Sequence, residues 1–287
     1  MRPLRVVALR PAGSVERFAQ EIAVEPGIVR VERTSPRRSL DEPALVSFPN
    51  GLPYEWQFVA VRANEVPPAV ARAAAAFTIA VIDTGADLTA PDLSAKAPQT
   101  YSVRTGQANV PDTNGHGTFV AALAAGSSTN GDGIAGVGGD AGLMVVQAGG
   151  VGGAFTDVDE AAAIVYAVDH GAKIVNLSLG GPSTSSIERR AIDYAVSKGV
   201  LLVAAIGNGY LRGNAVEYPA ALLQPIGSNG VGGRGLSVAA STPQGARAPF
   251  SSTDATSSAR SAGFAAQTSA AAPATCGEAN DVPLLKP

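Results

Sequence analysis

The chain has 287 residues, 46% of them hydrophobic, which suffices for one sizeable domain with an appendage. A net charge of −3, from 21 basic and 24 acidic residues, offers no clustered basic face, so no nucleic-acid partner is expected. A single cysteine, Cys276, and two histidines, His116 and His170, exclude an intrachain disulfide and a Cys/His zinc site. No apolar run approaches the roughly 20 residues that span a bilayer, so no membrane partner is expected either.

The opening MRPLRVVALRPAG is too short in its apolar part for a signal peptide. RVVALRP and IVRVERT predict short strands around a helix, SVERFAQEIA. The eight arginines and four glutamates of residues 1–40 read as a solvated segment. Residues 41–76, rich in proline, read as a linker and N-terminal extension. From Phe77 the texture changes to β-type apolar runs, FTIAVID, LMVVQA, KIVNLSL, VLLVAAI and LSVAAS, which predict strands. Between them TDVDEAAAIVYAVDHG predicts a helix capped by Thr156 or Asp157. SSIERRAIDYAVSKG predicts another, with Ser185 and Glu188 at capping-box spacing. The alternation implies an α/β fold, a three-layer parallel-sheet domain over 77–287, with its functional loops at the carboxyl ends of the strands. After Phe250 the chain turns Ala- and Ser-rich, without a clear strand or long amphipathic helix. The domain is therefore expected to be truncated or altered after residue 252.

Two motifs carry chemistry. AVIDTG, residues 80–85, delivers Asp83 at the end of an apolar strand, where a fixed and partly desolvated carboxylate suits the orienting of an imidazole. NGHGT, residues 114–118, opens a small-residue helix on His116, the side chain suited to general base and acid work near neutral pH. His170, at a predicted helix end, reads as a favourable C-terminal group without a catalytic role. Gly230, Gly232 and Gly235 satisfy G-x-G-x-x-G, and Gly136, Gly138 and Ala141 a looser variant. Both precede strands rather than helices, against a nucleotide site. Asp132, Asp140, Asp157 and Asp159 lack a calcium-loop spacing and read as solvated loop acids, leaving structural calcium open.

AVIDTG followed by NGHGT resembles the Asp and His motifs of the subtilisin-like serine proteases, the subtilases of peptidase family S8, and the supporting match covers residues 77–252. NLSLGG, residues 176–181, resembles the family's substrate-aligning strand, and AAIGNG, residues 204–209, the segment with its oxyanion asparagine. YPAAL, 218–222, and APFSS, 248–252, resemble further family landmarks. The resemblance implies a serine endopeptidase with catalytic Asp83, His116 and Ser269 and oxyanion donor Asn208. It implies peptide contacts at Ser178, Leu179, Gly180, Ala205 and Gly207. It implies no cofactor for the chemistry, polypeptide substrates, a monomer, and an extracellular or cell-envelope location. Ser269 rests on QTSAAAP, residues 267–273, which has Gln267 where the family has glycine; the alternative is an ordinary serine. RVVALRP through GIVRVER resembles the latter part of an inhibitory propeptide, which would make residues 1–40 a partial propeptide and a binding partner of the domain. The rival reading is a catalytically inactive, subtilase-like scaffold or peptide-binding fragment. A nucleotide-dependent α/β enzyme is a third reading.

Overall fold

Strands covered on both faces read as unbroken apolar runs, and the runs between residues 78 and 240 behave in that way. The computed structural model describes residue 7 and residues 9–39, 56–130, 134–224, 233–253 and 264–265. In chain order the elements are α1 (Val15–Ala23), β1 (Pro36–Ser39), α2 (Trp56–Ala60), α3 (Pro68–Ala73), β2 (Thr78–Asp83), α4 (Pro91–Ser94) and β3 (Gln99–Ser102). There follow α5 (His116–Ala125), β4 (Gly142–Gln147), β5 (Ala154–Thr156), α6 (Asp157–Asp169), β6 (Ile174–Leu177), β7 (Leu179–Gly180) and α7 (Ser186–Ser197). The last are β8 (Leu201–Ala205), α8 (Ala220–Leu223), β9 (Leu236–Ala240) and β10 (Phe264–Ala265).

The main sheet runs β10-β9-β8-β6-β2-β4-β3, every neighbouring pair parallel. Because side chains alternate across a strand, successive residues of β2 and β4 face opposite layers. Ala80, Ile82, Met144 and Val146 pack with Ala163, Ile164 and Ala167 of α6 and, in the same cluster, with Ile192 of α7. Val81, Leu143 and Val145 pack on the other face with Val120, Ala121 and Ala125 of α5. Ile82, Met144, Ile164, Leu177, Ile192 and Leu202 are fully buried, and each such side chain contributes about 1.5–3 kcal/mol. The expected three-layer α/β domain is therefore present.

A second, antiparallel sheet is ordered β5-β1-β7. β1 pairs with β5 through Pro36 opposite Thr156, Arg37 opposite Phe155 and Arg38 opposite Ala154, and with β7 through Arg38 opposite Gly180 and Ser39 opposite Leu179. A short N-terminal strand thus lies between two segments that border the main sheet.

Several sequence expectations change. IVRVERT forms no strand; the strand begins at Pro36, because its partners β5 and β7 lie beside residues 36–39. Most of RVVALRP lies outside the described residues. α1 forms as expected, with the Ser14 side chain capping Arg17 N–H. The arginine-rich segment is not wholly solvated, since Arg37 is buried. β3 and β10 escaped the sequence reading, both at the borders of the sheet and both short. α6 is capped by Thr156 in a closed box with Asp159, and Asp157 Oδ1 accepts the Ser35 N–H at 2.7 Å. These two acids hold local structure rather than standing free in a loop. Ser185 caps α7 by accepting the Glu188 N–H, but the Glu188 carboxylate turns to Arg37 instead of closing the box.

Candidate active site

β2 ends on Asp83, which is fully buried. Its Oδ1 accepts the Thr84 N–H at 2.7 Å and lies 2.7 Å from His116 Nδ1. A carboxylate at this distance holds the imidazole with its proton on Nδ1, which puts the basic lone pair of the neutral ring on Nε2. The two side chains come from adjacent elements of one layer contact, since α5 packs across β2. His116 is the first residue of α5, after Gly115 as N-cap at φ 93°, and its side chain is only 7% exposed.

The turn that presents His116 is organised by Asp112. Its Oδ1 accepts from Thr84 Oγ1 at 2.8 Å, Asn114 N at 3.1 Å and Gly115 N at 2.9 Å. Its Oδ2 accepts from Thr118 N at 2.8 Å and Thr118 Oγ1 at 2.6 Å. Burial raises the proton affinity of this carboxylate, but the hydrogen bonds from Thr118, Gly115 and Thr84 outweigh it and hold the group below the usual carboxylate range. Thr84 Oγ1 in turn accepts the Gly117 N–H at 2.9 Å, so the residue after Asp83 is tied to the residue after His116. A Cβ on Gly117 would stand 2.2 Å from Gly85 O; only glycine lets the two backbones approach so closely. Gln147, beside Asp83 in the sheet, donates to Thr84 O at 3.0 Å and Pro111 O at 2.8 Å. Asp112 and Gln147 were missed by the motif reading. The cluster PDTNG, an acid two residues before Asn-Gly, was the available signal for Asp112, because such acids cap their own turns.

The other described candidates follow the carboxyl ends of β6 and β8 in the same sheet. β8, β6 and β2 are consecutive strands, so about 10 Å spans the outer pair. Ser178 follows β6 and its Oγ accepts Asn176 Nδ2 at 2.9 Å. Leu179 and Gly180 are buried in β7, where both pair with β1. Ala205 closes β8, and Gly207 and the half-buried Asn208 follow in the loop after it. That loop is held by Ser252, whose N–H donates to Gly207 O and whose Oγ accepts the Gly209 N–H, both at 2.9 Å. Ser251 Oγ accepts the Ala240 N–H at the end of β9. The landmark APFSS thereby acquires a physical role, as does YPAAL, whose Tyr218 exchanges two backbone hydrogen bonds with Gly181.

Ser269 lies outside the described residues. His170 ends α6 away from these groups, with Nδ1 2.8 Å from Tyr166 O and its ring stacked on Tyr166. The stretch from Gly136 to Ala141 leads into β4, a strand, which is the wrong element for a dinucleotide loop; Gly230 and Gly232 lie outside the described residues. Among the described residues no cluster of three His, Cys, Asp or Glu is placed to hold a metal, and no helix is long and apolar enough to cross a membrane.

Comparison with known proteins gives an independent view of the chain. The family model of the Subtilase family matches residues 74–284. The chain is 43% identical over 130 residues to a thermophilic serine proteinase of Bacillus sp. (strain AK1), covering 45% of this chain and 32% of that protein. It is 39% identical over 143 residues to thermitase of Thermoactinomyces vulgaris, half of each chain. It is 38% identical over 156 residues to the major intracellular serine protease of Bacillus subtilis (strain 168), covering 52% of this chain and 49% of that one. The aligned regions span about a third to a half of the length of these relatives. Since the family match extends over well more than half of the chain, the protein belongs to the subtilase family.

Proposed function

We propose that the chain is a serine endopeptidase that hydrolyses peptide bonds through Asp83, His116 and Ser269. The observation that carries the reading is the 2.7 Å contact between Asp83 Oδ1 and His116 Nδ1 at the carboxyl edge of the parallel sheet. In the proposed reaction Ser269 Oγ attacks the scissile carbonyl while His116 Nε2 takes its proton. His116 then returns that proton to the leaving amine, and water attacks the acyl-enzyme in a second passage through the same groups. Asp83 keeps the ring in the reactive tautomer and stabilises the imidazolium. Asn208, with a backbone amide, holds the oxyanion, a donor whose loss costs about 10²- to 10³-fold in turnover. None of these steps calls for a cofactor.

Ser178, Leu179, Gly180, Ala205 and Gly207 are assigned to the alignment of an extended peptide. Support comes from β7, which already pairs with an extended strand of the chain itself. Residues 1–40 are assigned to a propeptide-like segment that occupies its own domain, residues 41–76 to a linker, and residues 77–287 to the peptidase. A monomer acting outside the cytoplasm or in the cell envelope fits the family. The test is labelling of the purified chain by a fluorophosphonate probe, with S269A as control. Labelling of the parent chain and not of S269A is expected. Labelling of neither refutes the peptidase reading and leaves a peptide-binding scaffold; labelling of both refutes only the choice of serine.

A further inference from the structure

The slot between β5 and β7 is lined at its floor by two acids from different helices. Arg37 of β1 enters it and is fully buried there: Nε donates to Glu160 Oε2 at 2.8 Å, and Nη2 lies 2.8 Å from Glu188 Oε1. Nη1 donates to Pro36 O at 3.1 Å. All three charged side chains are 0% exposed. Glu160 sits in the first turns of α6 and Glu188 in the first turn of α7, where the helix dipoles favour negative charge. Asp157 lies beside them and adds to the field. Glu160 Oε1, both Glu188 oxygens and Arg37 Nη2 are buried with no hydrogen-bond partner among the described residues, so the Glu188 contact is an ion pair without hydrogen-bond geometry and the two carboxylates keep acceptors that Arg37 leaves unused. Isolated burial of such charges is costly, and a core has no need of two acids at the floor of a β-slot unless a cation is meant to enter. Backbone access is provided as well: a Cβ on Gly181 would stand 2.3 Å from Pro36 O.

We propose that Glu160 and Glu188 form an arginine-selective pocket in the peptide groove, and that Arg37 is the chain's own occupant of it. The recognition is that of an extended strand added between two edges, with main-chain hydrogen bonds giving affinity and a side-chain pocket giving choice. β1 runs antiparallel to β7 with Ser39 opposite Leu179, so its direction leads past Ser178 toward the edge that carries Asp83 and His116. In a substrate bound the same way, the selected arginine lies on the N-terminal side of the bond that reaches those groups. This deepens the peptidase reading and rests on it for turnover, while binding itself requires neither Ser269 nor hydrolysis.

The test uses the full chain and two pentapeptides, acetyl-Pro-Arg-Arg-Ser-Leu-amide and its analogue with citrulline in place of the first arginine. Citrulline keeps the shape and loses the charge. Amide hydrogen exchange at residues 37–39 is followed as each peptide is added in excess. The arginine peptide is expected to displace β1 and speed exchange, and the citrulline peptide to require about 30-fold or more higher concentration. In R37A, whose own strand is weakened, fluorescence anisotropy of the labelled arginine peptide reads the affinity directly, with the same ratio between the two peptides. In E160Q/E188Q the preference is lost. Equal action of the two peptides, or none by either, overturns the pocket. A chain that discriminates the peptides but takes no fluorophosphonate keeps the pocket and loses the peptidase reading. A chain that cuts peptides without regard to arginine does the reverse.

Discussion

Asp112 offers the sharpest check on how the histidine turn is built. In D112N one of the two carboxylate oxygens becomes an amide nitrogen. If the oxygen stays on the side of Thr84, Asn114 and Gly115, the new NH2 group faces Thr118 N–H and the Thr118 hydroxyl. The hydroxyl can turn, although it already accepts the Asp87 N–H at 2.9 Å; the Thr118 N–H cannot. Thr118 is 5% exposed, and one buried donor left unsatisfied costs about 1–3 kcal/mol. The surviving bonds fall from charge-assisted to neutral strength, which brings the total to about 2–4 kcal/mol. The opposite flip is worse, since three donors then face the nitrogen. Urea unfolding at pH 7, 5 and 3 measures the difference. Because the folded-state affinity of Asp112 for protons is depressed from 3.8, its contribution is present above that value and is lost as pH falls through the lower, folded-state one. The gap between parent and D112N is therefore constant from pH 7 to 5 and narrows at pH 3. Equal stability at pH 7, or a gap indifferent to pH, refutes the assignment. The exposed Asp140, changed to Asn, is the control and leaves the midpoint unmoved.

Other consequences follow from the same geometry. G117A forces Cβ against Gly85 O and separates α5 from the turn after β2; a lowered Tm and slower fluorophosphonate labelling are expected, and a variant with parental values of both contradicts the close-approach argument. S252A removes the acceptor of the Gly209 N–H, costs about 1–2 kcal/mol, and loosens the Asn208 loop, which hydrogen exchange at Gly209 reads. Arginine-peptide binding carries a pH signature. With Arg37 docked, burial first and then the charge of Glu188 raise Glu160 to about 8, with Asp157 adding and Arg37 opposing. At equal burial the uncharged citrulline leaves Glu160 higher still, so docking of the arginine peptide releases a proton that docking of its citrulline analogue does not, and the arginine preference grows as pH rises from 7 to 9, by at most about tenfold per unit. A preference that is flat or falls over that interval contradicts it.

The residues that were legible in the sequence are those whose role is decided within a few neighbours. Asp83 stands out because a strand of unbroken apolar residues ends on it, and His116 because glycines on both sides open the helix it starts. The helices α6 and α7 carry their caps and terminators in order. β3 and β10 were not legible: among the described residues each is a short strand at a border of the sheet, so neither makes a long apolar run. Ser251 and Ser252 belong to a stretch that reads only as a family landmark, and their role is not legible because the backbone groups they satisfy come from residues ten or more positions away.

The sequence by itself determined the layer order of the domain and the pair at its reactive edge, since periodicity, caps and strand-end motifs are local properties that survive translation into structure. The tertiary structure alone decided what becomes of charge. In the sequence Glu188 reads as the capping-box partner of Ser185, Glu160 is not singled out within its helix, and Arg37 is one of eight arginines in a segment read as solvated. Folding places all three together out of water, because β1 finds its partners in strands more than 100 residues away. A buried ion pair depends on the sum of distances across the fold, and no window along the chain contains that sum.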